Sequence, residues 1–191
     1  MRPGLVISAL LLLAALAPSS SGQGARRPSA TPTPTPALTA LPPSVLNASL
    51  QDVDGGSFSL SNYSGKVLVV TLWACWCGPC RMQLDSLTEL HKEYSGLGLE
   101  VVGLTTEDPE ATTETVRNFV EEYSIPFKNG WSTPEVSLTL MQGRDSIPQT
   151  YVVSRTGLIT KRFIGFNPVT TPPLVRQAVE EALAEKSDLP K

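Results

Sequence analysis

Cys77 and Cys80 enclose Gly78-Pro79 in a Cys-x-x-Cys motif. Two thiols this close can make and break one disulfide with each other, or share a soft metal ion. A run of Val and Leu at positions 67–72 leads into Trp73, Ala74, Cys75 and Trp76 just before the pair. Helical spacing starts after Pro79. The pair is therefore expected where a buried strand gives way to a helix N-terminus. Unpaired backbone N–H groups and the helix dipole stabilise a thiolate there. A thiol of pKa about 8.5 can fall to about 3.5–7.5 in such a motif. Cys77, at or just before the helix start, is the expected nucleophile, and Cys80, one turn in, the resolving thiol. Gly78-Pro79 closes the loop tightly with a helix-compatible proline.

Other chemistries fit less well. A structural zinc site wants four ligands, and this chain has three cysteines and one histidine. His91 lies 11 residues past Cys80, about 16 Å along the same helix, and reads as a helix-face residue at the core edge. No zinc ligand set is nominated and no cofactor is expected. A Cu(I) ion on two or three of Cys75, Cys77 and Cys80 stays open as an alternative. A purely structural disulfide would close too short a loop to stabilise much.

The positioning elements follow from periodicity. Residues 46–52 read as a first strand, 54–56 as a turn and 57–60 as a short strand. Residues 66–72 carry Val and Leu on both parities, as in a strand buried on both faces. The helix after Pro79 carries Leu84, Leu87, His91 and Tyr94 at helical spacing, and Gly96 and Gly98 end it. Residues 99–105 form a second buried strand. Asp108-Pro109-Glu110 opens a helix with apolar Val116, Phe119, Val120 and Tyr123, and Thr133-Pro134-Glu135 opens a shorter one to about Leu140. Residues 149–153 and 158–163 form a hairpin, and Thr171-Pro172 starts a last helix. The order β-α-β-α, then β-β-α, predicts an α/β fold: a mixed central sheet flanked by helices.

The 191-residue chain is 41% hydrophobic with net charge -3, which suits a packed domain. It lacks the basic stripe of a nucleic-acid binder, so no nucleic-acid partner is expected. Met1-Arg2 followed by 13 apolar residues at 5–17 has the shape of a signal peptide, short of the roughly 20 apolar residues a membrane span needs. Residues 1–22 are read as a signal peptide, with an uncleaved anchor as the alternative. Residues 23–44 are read as a Pro/Thr-rich extended linker, and 45–187 as one domain.

The string Trp73-Ala74-Cys75-Trp76-Cys77-Gly78-Pro79-Cys80-Arg81, with Ser146-Ile147-Pro148-Gln149-Thr150 downstream, resembles the thioredoxin superfamily. It is most similar to exported thiol-disulfide oxidoreductases of the TlpA/ResA kind, over roughly residues 45–184. The resemblance implies a thioredoxin fold with extra N-terminal strands and a central insertion, here 107–140. It implies that Pro148 is cis and lies against the disulfide, with the Ile147 backbone offered to a substrate chain. Trp73, Trp76, Gly78, Pro79, Ile147 and Pro148 would support the site. It implies a periplasmic or other extracytoplasmic protein that reduces disulfides of exported proteins, apocytochrome c among family examples. Electrons would come from a membrane thiol donor, and the chain would act as a monomer. An oxidase or isomerase is the same site run the other way.

Three positions depart from the family pattern. Cys75 stands where Thr or Ser is common, and reads as a small buried residue, an alternative disulfide partner or a third soft ligand. Thr71 occupies the place of a buried acid. Gln83 replaces a Glu three residues after the second cysteine. Both usual proton-handling carboxylates are thus missing, which leaves the deprotonation of Cys80 to water or to a more distant acid such as Asp85.

Overall fold

The computed structural model describes residues 39–185. The readings of 1–22 as a leader, and of most of 23–44 as a linker, lie outside them. The strands are β1 (Thr39–Ala40), β2 (Leu50–Asp52), β3 (Ser57–Phe58), β4 (Val67–Trp73), β5 (Leu99–Thr105), β6 (Lys128–Trp131), β7 (Gln149–Val153) and β8 (Leu158–Ile164). The helices are α1 (Pro43–Leu46), α2 (Gly78–Tyr94), α3 (Pro109–Glu122), α4 (Pro134–Met141) and α5 (Thr171–Ala184).

All eight strands join one sheet in the order β1-β8-β7-β4-β5-β6-β2-β3. β4 is central, parallel to β5 and antiparallel to β7, so the sheet is mixed as the element order predicts. Every residue of β4 is buried, because helices cover both faces. Val67, Val69 and Trp73 face the core that includes Leu84 and Leu87 of α2, Phe119 of α3 and Val175 of α5. Leu68, Val70 and Leu72, of the other parity, face a second core with Val45 of α1 and Val136 and Leu140 of α4. The strand's period of two thus separates two packed layers.

Differences from the sequence reading concentrate at the sheet's outer strands. β1 and α1 fall within 39–46, so ordered structure begins before residue 45. Pro42 and Pro43 favour a helix start, where fixed φ and a missing N–H cost little, and Val45 is fully buried. That turn displaces the first half of the strand expected at 46–52. β3 is shorter than expected, because Leu60–Tyr63 form a 3-10 turn whose Asn62 side chain accepts from the Ser59 N–H at 2.8 Å. The insertion at 107–140 also carries a strand that the sequence reading did not predict, β6, which pairs parallel with β5 and antiparallel with β2. Lys128-Asn129-Gly130-Trp131 has no alternating apolar pattern to betray a strand. Gly130 is needed there, since a Cβ would sit 2.4 Å from the Gln51 carbonyl oxygen.

Candidate active site

β4 delivers the chain to the site and α2 carries it away. After Trp73 the backbone turns, and the Cys77 N–H donates to the Ala74 carbonyl at 3.1 Å. Cys77 is the N-cap of α2, in extended conformation (φ -92, ψ 102), with Gly78 and Pro79 in the first turn. The Cys80 N–H donates to Cys77 Sγ at 3.2 Å. The two cysteines are joined as a disulfide. Cys77 is 6% exposed and Cys80 1%, so an incoming thiol or disulfide meets Cys77 first.

The facing wall comes from β7. Leu72 pairs with Gln149 in antiparallel register, which brings Pro148 beside the end of β4. The Ile147–Pro148 peptide bond is cis. The Ile147 carbonyl oxygen lies 3.8 Å from Cys77 Sγ. The Pro148 carbonyl accepts from the Gly165 N–H at 2.8 Å, tying this wall to the loop after β8.

The tryptophans have opposite surroundings. Trp73 is fully buried with its ring 5.1 Å from that of Phe119. Its indole N–H approaches Gly103 of β5, where a Cβ would meet it at 2.9 Å. Trp76 is 73% exposed, a bare aromatic one residue before Cys77. Arg81, in the first turns of α2, stacks over Tyr123 at 4.8 Å.

Behind the disulfide the polar groups are neutral. Gln83 of α2 is buried, and its Nε2 donates to Thr150 Oγ1 of β7. Thr150 Oγ1 stands 3.4 Å from Thr71 Oγ1 of β4. Gln83 Oε1 is buried without a partner among the described residues. Asp85 is not brought to the pair. It is exposed, and five residues along α2 place it about 140° around the helix from Cys80. The geometry removes it as the substitute carboxylate.

The carboxylate that does reach the active-site loop is Glu107, which sequence reasoning used only to mark the start of an insertion. It accepts from the Cys75 N–H at 2.8 Å and from Thr105 Oγ1 at 3.0 Å. Burial, together with a hydrogen bond to Glu107 and its charge, pushes the Cys75 thiol up to about 12. Register could have found it. Trp73 pairs with Thr105 in parallel, so two residues further Cys75 lies beside Glu107. Among the described residues, no group of three or more His, Cys, Asp or Glu side chains is gathered to hold a metal ion.

A central strand that ends in a reactive loop, a helix capped by the first cysteine and a proline wall on the neighbouring antiparallel strand together define a thioredoxin-fold protein. The chain belongs to the AhpC/TSA family, whose model matches residues 43–162. It is 25% identical over 119 residues to the thiol-disulfide oxidoreductase ResA of Bacillus thuringiensis, covering 62% of this chain and 66% of that protein, just under two thirds of its length. It is 29% identical over 124 residues to the thiol:disulfide interchange protein HelX of Rhodobacter capsulatus, covering 65% of each. A thiol:disulfide interchange protein of the thioredoxin family from Chlorobium tepidum has the same fold, with TM-score 0.60, 24% identity, and coverage of 71% of this chain and 94% of that one. Among the described residues, no helix is long and apolar enough to cross a membrane.

Proposed function

We propose that this protein is an exported thiol-disulfide oxidoreductase that reduces protein disulfides through Cys77 and Cys80. The observation that carries the reading is the disulfide itself, set at the N-terminus of α2 with Cys77 the more exposed of the two residues. In the dithiol form, the Cys77 thiolate attacks one sulfur of a substrate disulfide. A Cys77–substrate bond forms, the substrate S–S bond breaks, and one substrate thiolate leaves. Cys80 then loses its proton and attacks Cys77 Sγ. The Cys77–Cys80 bond re-forms and the second substrate thiol departs. Two electrons pass from the protein dithiol to the substrate.

The helix N-terminus favours the first step by stabilising the thiolate of Cys77, to which the Cys80 N–H also points. The Ile147 carbonyl beside Cys77 Sγ supports a pose in which an extended substrate segment runs along the Ile147-Pro148 wall. The names of the ResA and HelX relatives support thiol-disulfide exchange as the reaction. The substrates are disulfide-bearing exported proteins, with cytochrome c maturation as one setting, and a membrane thiol donor returns the protein to its dithiol form. Reduction rather than oxidation rests on the Gly-Pro pair inside the motif. The reduction potential of the Cys77–Cys80 couple tests it. A value near about -270 mV supports the reductase; one near about -120 mV overturns it in favour of an oxidase.

A further inference from the structure

We propose that Glu107 is a positioning residue that keeps Cys75 out of the Cys77–Cys80 exchange. The inference rests on the reading of Cys77–Cys80 as the working couple. Three thiols within six residues pose a problem of fidelity. Two residues before the nucleophile, Cys75 is half-buried rather than sealed in the core. A Cys75 thiolate could attack Cys77 Sγ. A Cys75–Cys77 bond would form, the Cys77–Cys80 bond would break, and Cys80 would leave as a thiolate and take up a proton. No electrons would be gained or lost, but the nucleophile would be tied to the wrong partner.

The parallel register of β4 and β5 places the guard. Trp73 sits opposite Thr105 where the two strands end, and just beyond them the Cys75 N–H reaches Glu107. The Glu107 carboxylate is held by two donors on one oxygen, the Cys75 N–H at 2.8 Å and the Thr105 hydroxyl at 3.0 Å. The Glu107 N–H in turn donates to Thr105 Oγ1 at 3.3 Å, closing a small ring of bonds. The next residue back, Thr106, donates its N–H to the Trp73 carbonyl at 3.0 Å and fixes the two loops together. A carboxylate so anchored cannot swing away from Cys75. Burial already disfavours a thiolate on Cys75, and the negative charge of the carboxylate that holds its N–H opposes one further. The Cys75 N–H itself is tied to Glu107.

The test uses the oxidised full chain, in which Cys75 is the free thiol. Its alkylation by iodoacetamide at pH 8 is followed by mass spectrometry in wild type and in Glu107→Gln. The disulfides are then mapped after incubation without alkylating agent. We expect Cys75 to react about tenfold faster or more in Glu107→Gln, the effect of one pKa unit or more. A Cys75–Cys77 or Cys75–Cys80 bond should also appear. Adding Cys75→Ser should restore a single Cys77–Cys80 bond. Should Glu107→Gln fail to fold, Glu107→Asp, too short to reach Cys75, carries the same expectation. Unchanged alkylation with a single Cys77–Cys80 bond in the folded variant overturns the proposal. Disulfide-reducing activity of the wild type is measured alongside. Its absence sinks the proposed function and leaves the thiol measurements to decide the role of Glu107.

Discussion

The Cys80 N–H points at Cys77 Sγ from 3.2 Å, so in the proposed mechanism the resolving cysteine helps to stabilise the sulfur it later attacks. This follows from the N-cap position, because a capping side chain accepts from the N2 or N3 amide and here the capping atom is Cys77 Sγ. In the reduced protein, Cys77 should alkylate with a pKa below the ordinary value of about 8.5, and Cys80 should react far more slowly. Cys80→Ser should accumulate a mixed disulfide at Cys77 with a model disulfide substrate, whereas Cys77→Ser should form none. Mass spectrometry reads both. Equal trapping by the two variants would contradict the assignment.

The neutral Gln83-Thr150-Thr71 set makes a second prediction. Gln83→Glu would place a carboxyl in this buried position, with its pKa raised by desolvation. Above that raised pKa the carboxylate can take the Cys80 proton, so resolution of the mixed disulfide should quicken as pH rises through it. Stability should fall by about 1–3 kcal/mol, the usual cost of burying a poorly paired polar group. Stopped-flow resolution rates and urea unfolding measure the two effects. Asp85→Asn should leave the resolution rate unchanged, because Asp85 points into solvent.

Two glycines separate site from scaffold. At Gly103, an added Cβ would lie 2.1 Å from Asn129 Oδ1 and 2.9 Å from Trp73 Nε1. Gly103→Ala should therefore cost about 1–3 kcal/mol and also slow disulfide reduction, since Trp73 anchors the active-site loop. At Gly130 the obstacle is the Gln51 carbonyl. Gly130→Ala should destabilise the β2–β3 edge by a similar amount and leave the rate per folded molecule intact. Urea midpoints and turnover of the folded fraction distinguish them.

His91, the chain's single histidine, gives a pH signature. Burial pulls its pKa below the usual 6.5, with the Glu100 charge opposing, and its ring stands edge-on to Phe127 at 6.0 Å. The folded protein thus resists taking a proton that the unfolded chain accepts. Below about pH 6.5 the unfolded state binds more protons, so stability rises with pH and falls on acidification. The proton NMR titration of His91 should have its midpoint below 6.5. His91→Gln should flatten the dependence of the urea midpoint between pH 5 and 7. A midpoint at or above 6.5 would contradict the burial argument.

Much of the frame is legible in the linear chain, because it depends on local periodicity. Val and Leu on both parities announce β4 and β5, the run after Pro79 announces α2, and Cys77-Gly78-Pro79-Cys80 at their junction announces the chemistry. Gly130 and the polar Lys128-Asn129 stretch announce nothing, because β6 exists through pairing with β5 and β2 rather than through its own pattern. β1, two residues long, is likewise made by its partner β8. The deepest limit of sequence lies at Cys75. Its type and position show a third sulfur near the pair. Only the side-by-side register of β4 and β5 sets Glu107, 32 residues further on, against it. Local sequence determines which strands, helices and thiols form. Which charge stands next to which thiol is decided by strand register, a property of two distant segments together.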